Sequence, residues 1–194
     1  MKNLLLPAAL SLPALLAASP TLAQTFEGPR VEATVGWDQL SYDLGSAAGS
    51  TTERRADLGY GVAAGYDRAV SPTVIVGVEG AATFSQGDYT TAATGDTVHV
   101  RRDLSAAVRV GTRVGGNALV YGKLGYSNLQ LGLDTLDTTL TPTYGRRNYD
   151  GVLLGVGAEV GLTSNTYLKS EYRYTNYEDG VSRQNVLTGI GIRF

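Results

Sequence analysis

The sequence predicts an all-β chain folded as an eight-stranded antiparallel up-and-down barrel that crosses a membrane. Three observations predict it. Most of the chain alternates with period two, as strands with two unlike faces do. The face opposite the apolar one carries glycines and charges of both signs. A soluble sandwich would expose such a face to water, where glycines serve no purpose. In a narrow lumen they leave room for long charged side chains. Finally, no apolar run after the first 23 residues is long enough to span as a helix, which takes about 20 residues. A closed barrel is then the spanning structure that satisfies every backbone polar group.

Met1-Lys2-Asn3, an apolar run from Leu4 to Ala18, and Ser19-Pro20-Thr21-Leu22-Ala23 describe a secretory signal peptide over residues 1–23. Residues 24–194 then form one barrel domain, beginning at Gln24. The first strand covers Arg30 to Trp37, with Val31, Ala33, Val35 and Trp37 opposite Glu32, Thr34 and Gly36. In the second, Leu58, Tyr60, Val62, Ala64 and Tyr66 oppose Gly59, Gly61, Ala63, Gly65 and Asp67. Val74, Val76, Val78, Ala82 and Phe84 oppose Gly77, Glu79, Ala81 and Thr83 in the third. The fourth sets Leu104, Ala106, Val108 and Val110 against Asp103, Ser105, Ala107, Arg109 and Gly111. The fifth sets Val120, Leu124 and Tyr126 against Tyr121, Lys123 and Gly125. The sixth alternates Val152, Leu154, Val156, Ala158, Val160 and Leu162 with Leu153, Glu159 and four glycines. In the seventh, Leu168, Tyr172 and Tyr174 oppose Lys169, Glu171 and Arg173. The eighth places Val186, Thr188, Ile190, Ile192 and Phe194 opposite Asn185, Leu187, Gly189, Gly191 and Arg193.

The connections alternate in length, as periplasmic turns and outer loops of such barrels do. Arg68 to Pro72, Arg113 to Asn117 and Thr163 to Asn165 are short. Long loops rich in Gly, Ser, Thr, Asp and Asn are expected at roughly 43–56, 85–97, 128–148 and 176–183. Past residue 23, proline occurs only at Pro29, Pro72 and Pro142, at strand edges or in connections. Twenty-five glycines, twelve tyrosines and no cysteine suit a tightly curved barrel without disulfides or thiolate chemistry.

The run Gly155-x-Gly157-x-Glu159 before a short Asn-containing turn, the Glu171-Tyr-Arg-Tyr174 run, and a terminal Phe194 preceded by apolar residues at every second position resemble the small bacterial outer-membrane β-barrels, OmpA/OmpX-like and opacity-protein-like. The resemblance implies a porin-family barrel in the Gram-negative outer membrane, among lipids and lipopolysaccharide, with a role in envelope integrity or surface contact. It also implies that Val186, Thr188, Ile190, Ile192 and Phe194 are the signal read by the outer-membrane assembly machinery. The peptidoglycan-binding domain of full-length OmpA-like proteins is expected to be absent.

The lumen face carries Glu32, Glu79, Asp103, Glu159 and Glu171 with Arg109, Lys123, Lys169, Arg173 and Arg193. Buried charges must be paired, and eight strands enclose little more than their own side chains. The expected result is a plug, with Glu79, Arg109, Lys123, Glu159, Glu171 and Arg173 as its network. The alternative is a narrow porin for small solutes. Arg54-Arg55, Arg101-Arg102, Arg146-Arg147 and Arg183 fall where outer loops become descending strands. They are candidate contacts to lipopolysaccharide phosphates, which suit the guanidinium fork, or else partners of loop acids.

Lipid A-modifying enzymes share this architecture, but catalysis finds little support. The single histidine, His99, is expected at a loop base, and Ser105 on its strand lies about 20 Å away. No cofactor is implied, since metal-ligand spacing is lacking and no helix follows the glycine-rich strands as in phosphate loops. The near-neutral net charge of -2 gives no nucleic-acid footprint. An extracellular ligand would be met by the loops.

Overall fold

The computed structural model describes residues 26–46, 49–85, 88–90, 97–136, 142–178 and 180–194, with side chains at 26–41, 57–85, 102–130, 148–178 and 180–194. The expected signal peptide and Gln24 lie outside the described residues. The strands are β1 (Gly28–Ser46), β2 (Gly49–Ala69), β3 (Val74–Ser85), β4 (Asp88–Thr90), β5 (Thr97–Val114), β6 (Ala118–Leu136), β7 (Pro142–Gly161), β8 (Thr166–Tyr177) and β9 (Val181–Arg193). Their order is β3-β2-β1-β9-β8-β7-β6-β5, and β5 pairs back with β3 to close the ring. β4 continues the line of β3 along the upper part of β5. The result is a closed eight-stranded antiparallel barrel. β1 and β9 seal it, from Arg30 opposite Arg193 to Tyr42 opposite Val181.

The pleat sends the apolar residues outward. Val62, Val78, Val108, Val152 and Val156 are more than half exposed, whereas Leu119, Leu153 and Leu187 inside are at most 2% exposed. Along β7 the outward apolar run from Val152 to Leu162 rises about 25 Å at the usual strand rise and barrel tilt, the height of a membrane belt. Above it the outward residues turn polar. Tyr126 gives way to Asn128 and Gln130, whose amides donate to Asp150 (2.6 Å) and Asn148 (3.1 Å). Trp37 likewise gives way to Gln39 and Ser41.

The short turns lie at the end that also holds both described termini, where Phe194 N–H donates to the Pro29 carbonyl at 2.9 Å. The long connections differ from expectation. β1 and β2 stay paired to Ser46 opposite Gly49, and β6 and β7 to Leu136 opposite Pro142. β5 starts at Thr97 and β9 at Val181. Backbone pairing therefore continues above the belt into stretches read as loops. There lipid no longer demands an apolar exterior, so the period-two signal fades while Thr still sits well in strands.

Candidate functional site

The inward side chains fill the barrel in layers. At the end with the short turns, Phe26, Ile75, Leu119 and Tyr121 form an apolar floor. Above it Asp67 receives Arg30 (3.0 Å), Arg109 and Arg193 (2.9 Å), while Glu159 receives Arg109 (2.5 Å) and Arg193 (2.9 Å). Glu32 joins this layer through Arg30, Lys169 and the Tyr167 hydroxyl, which donates to it at 2.7 Å. At mid-height the Lys123 ammonium lies 2.6 Å from both Glu79 and Glu171. Arg30 also reaches Glu79, at 2.8 Å. Arg173 binds Glu171 and lies 3.5 Å from Glu79.

A smaller polar cluster sits higher. Arg183 Nε donates to Asp38 Oδ1 at 2.8 Å and its Nη1 to Asp103 Oδ2 at 2.6 Å. Asn185 Nδ2 donates to Asp38 at 2.9 Å, and the hydroxyls of Tyr177 (3.0 Å) and Ser127 donate to Asp103. Leu40, Leu129, Tyr177 and Val181 close the outer end as a second apolar layer. Among the described residues, the buried charged ones are Glu32, Asp38, Asp67, Glu79, Asp103, Glu159 and Glu171 against Arg30, Arg109, Lys123, Lys169, Arg173, Arg183 and Arg193. The two signs balance, so low-dielectric burial is compensated pair by pair.

Glycine makes the room. A Cβ on Gly157 would stand 2.5 Å from the Tyr121 hydroxyl oxygen, and one on Gly155 would stand 2.8 Å from Lys123 Cγ. One on Gly65 would meet the Arg30 guanidinium at 2.8 Å.

The six residues expected in the network, Glu79, Arg109, Lys123, Glu159, Glu171 and Arg173, all lie in this interior. Arg30, Asp38, Asp67 and Arg183 join the network as well, and of these four the sequence reading sets only Asp67 on the lumen face. The signal was present for three: Arg30 and Asp38 keep the even phase of Glu32, and Asp67 the odd phase of its strand. Arg183, grouped by its sequence position with the candidate lipopolysaccharide contacts at the loop bases, is instead 1% exposed and bound to Asp38 and Asp103. The link after β8 is short, so Arg183 already stands in β9 with its side chain in the lumen phase.

Arg102 is exposed, and its backbone pairs with Gln130 beside a bulge. The side chains of Arg54, Arg55, Arg101, Arg146 and Arg147 lie outside the described residues. Their backbones stand in β2, β5 and β7, with Arg54 opposite Ser41 and Arg55 opposite Leu40. His99, expected at a loop base, stands in the β5 ladder between Asp88 and Gly132. Its side chain lies outside the described residues. Val186, Thr188, Ile190, Ile192 and Phe194 share the outward face of β9, Phe194 being 74% exposed. Among the described residues no three His, Cys, Asp or Glu side chains are placed to hold a metal ion. Each buried acid instead faces a guanidinium or ammonium group.

A profile of the family described as "Outer membrane protein beta-barrel domain" matches residues 8–194. No curated protein matches the chain. Among solved structures, the chain is similar to Ail, the attachment invasion locus protein of Yersinia pestis, at 15% identity and a TM-score of 0.57, over 86% of this chain and 99% of that one. It is also similar to the Neisserial surface protein A, at 16% identity and a TM-score of 0.58, over 86% and 97%. The fold is that of small outer-membrane barrels, and the chain belongs to the outer membrane protein β-barrel domain family.

Proposed function

We propose that this protein is a closed, non-conducting barrel of the bacterial outer membrane, whose lumen is a structural core and whose function is exercised at its outer surface. One observation carries this reading. Charged layers paired across all eight staves lie between apolar layers at both ends of the lumen. An aqueous path needs solvated charges, yet these side chains are at most 8% exposed. Planar-bilayer conductance of folded residues 24–194 tests it. A silent, correctly folded barrel is the expected result. Discrete, reproducible openings would replace this reading with a narrow porin, with Lys123 and Glu159 as its selectivity residues.

A second reading concerns the outer leaflet. Arg54 pairs with Ser41 and Arg102 with Gln130, each two outward positions above the last outward aromatic residue, Trp37 or Tyr126. That is the level of lipid phosphates, which arginine binds through its fork. Arg54→Ser with Arg102→Ser is expected to reduce lipopolysaccharide carried through purification. Unchanged retention would leave these arginines as solvated strand residues. The alternating face ending at Phe194 supports recognition by the assembly machinery, and Phe194→Ala is expected to slow assembly in cells without weakening the refolded barrel.

A further inference from the structure

The chain does not run straight out of the barrel at its N-terminal end. Gly28 opens β1 at a φ of 103°, in the left-handed region, and a Cβ there would collide with the Phe194 carbonyl oxygen. Only glycine turns the chain this tightly against the last residue. The bend carries Phe26 under the rim and into the floor. Phe26 is 1% exposed and packs with Ile75, Leu119 and Tyr121, flanked by Ala69. Glu27 fixes the approach, its carboxylate accepting the Ala69 N–H at 2.8 Å.

Two cations face the ring. The guanidinium of Arg113 lies 5.8 Å from its centre and that of Arg193 lies 5.5 Å away. Arg193 also stacks on Tyr167 at 4.6 Å, donates through Nη2 to Asp67 and Glu159, and leaves Nε and Nη1 without an acceptor. An aromatic ring fits such a place: its edge is apolar for Ile75 and Leu119, and its face attracts cations. Among the described buried aromatics, Phe26 alone is not carried by a strand.

We propose that Phe26–Glu27, immediately before β1, is a stopper, and that the periplasmic mouth is an aromatic-binding seat filled in cis by Phe26. Seating the ring closes the floor against water from the periplasmic side. The seat belongs to the barrel, so an aromatic hydrocarbon supplied from outside occupies it when the Phe26 side chain is removed, as apolar cavities take up benzene. This deepens the closed-lumen reading, and the two fail separately. A conducting wild-type barrel would refute the closed lumen, whereas the stopper is judged at its own floor.

The chain has no cysteine, so a single introduced thiol is an unambiguous reporter. Ile75→Cys reports on the floor, and Leu187→Cys reports on the lumen above the lower charged layers. Each folded barrel is treated with a charged, water-soluble maleimide, with and without Phe26→Ala. The floor thiol is expected to react about tenfold faster once Phe26 is truncated, reactivity following exposure, while the thiol at 187 stays protected. Toluene is expected to slow the floor reaction again. Equal floor rates with and without Phe26, or no effect of toluene, would overturn the proposal. If the Phe26→Ala barrel does not fold, Phe26→Leu keeps apolar volume without a ring. A floor rate unchanged in that variant would also overturn it.

Discussion

Arg183 and Arg102 are both arginines near the outer end, and burial separates them. Arg183 is 1% exposed between two carboxylates, while Arg102 is exposed. Arg183→Ser strands Asp38 and Asp103 in the lumen and is expected to cost about 3–5 kcal/mol. Arg102→Ser is expected to stay within about 0.5 kcal/mol. Urea unfolding midpoints of the refolded barrels decide this, and equal losses would return Arg183 to the exposed arginines at the outer end. Glycines divide in the same way. Gly157→Val drives carbon into Tyr121 and is expected to cost about 1–3 kcal/mol. Gly80→Ala meets nothing within 4 Å and should leave the midpoint unchanged. The facing of nearly every such residue was legible in the sequence, because period two fixes the side of each position from any one. Arg183 was illegible for a local reason. Glu178-Asp-Gly180 reads as part of a longer link, and a loop assignment erases the phase of every residue inside it.

At the scale of elements, strand extent was the feature hidden from the sequence. The belt-high part of each strand announces itself by alternation imposed by lipid, and pairing beyond the belt carries no such mark. These extensions create edges. Among the described residues, β2 has no neighbour beside Gly49–Ala56 on the side where β3 lies lower down, and β7 has none on the β8 side over residues 142–148. Each of these two edges carries an arginine pair, at 54–55 and 146–147. Like-charged residues on an open edge discourage edge-to-edge pairing between molecules. Replacing the pairs in β2 and β7 with Thr is therefore expected to raise the fraction of oligomers seen by light scattering in detergent. Unfolding of the barrel wall below should be unaffected.

For the molecule as a whole, the lumen behaves as one coupled assembly. Glu79 touches Arg30, Lys123, Lys169 and Arg173, so Glu79→Gln leaves positive charge without its counterion. Adding Lys123→Met removes one of the stranded cations. A double-mutant cycle is expected to give a coupling of about 0.5–3 kcal/mol, and a value near zero would mean that the pair is independent. Ring closure has a separate consequence. Neighbouring staves are mostly joined by a turn or hairpin, whereas the seam from Arg30 to Arg193 joins the two ends of the chain. The seam is nonetheless an ordinary antiparallel pair, with Phe194 hydrogen-bonded to Pro29. In register terms the ring has no privileged first stave. Its starting point is a property of the gene rather than of the wall, and a chain reconnected across Phe194 and Gly28 and opened at an outer hairpin would specify the same cylinder.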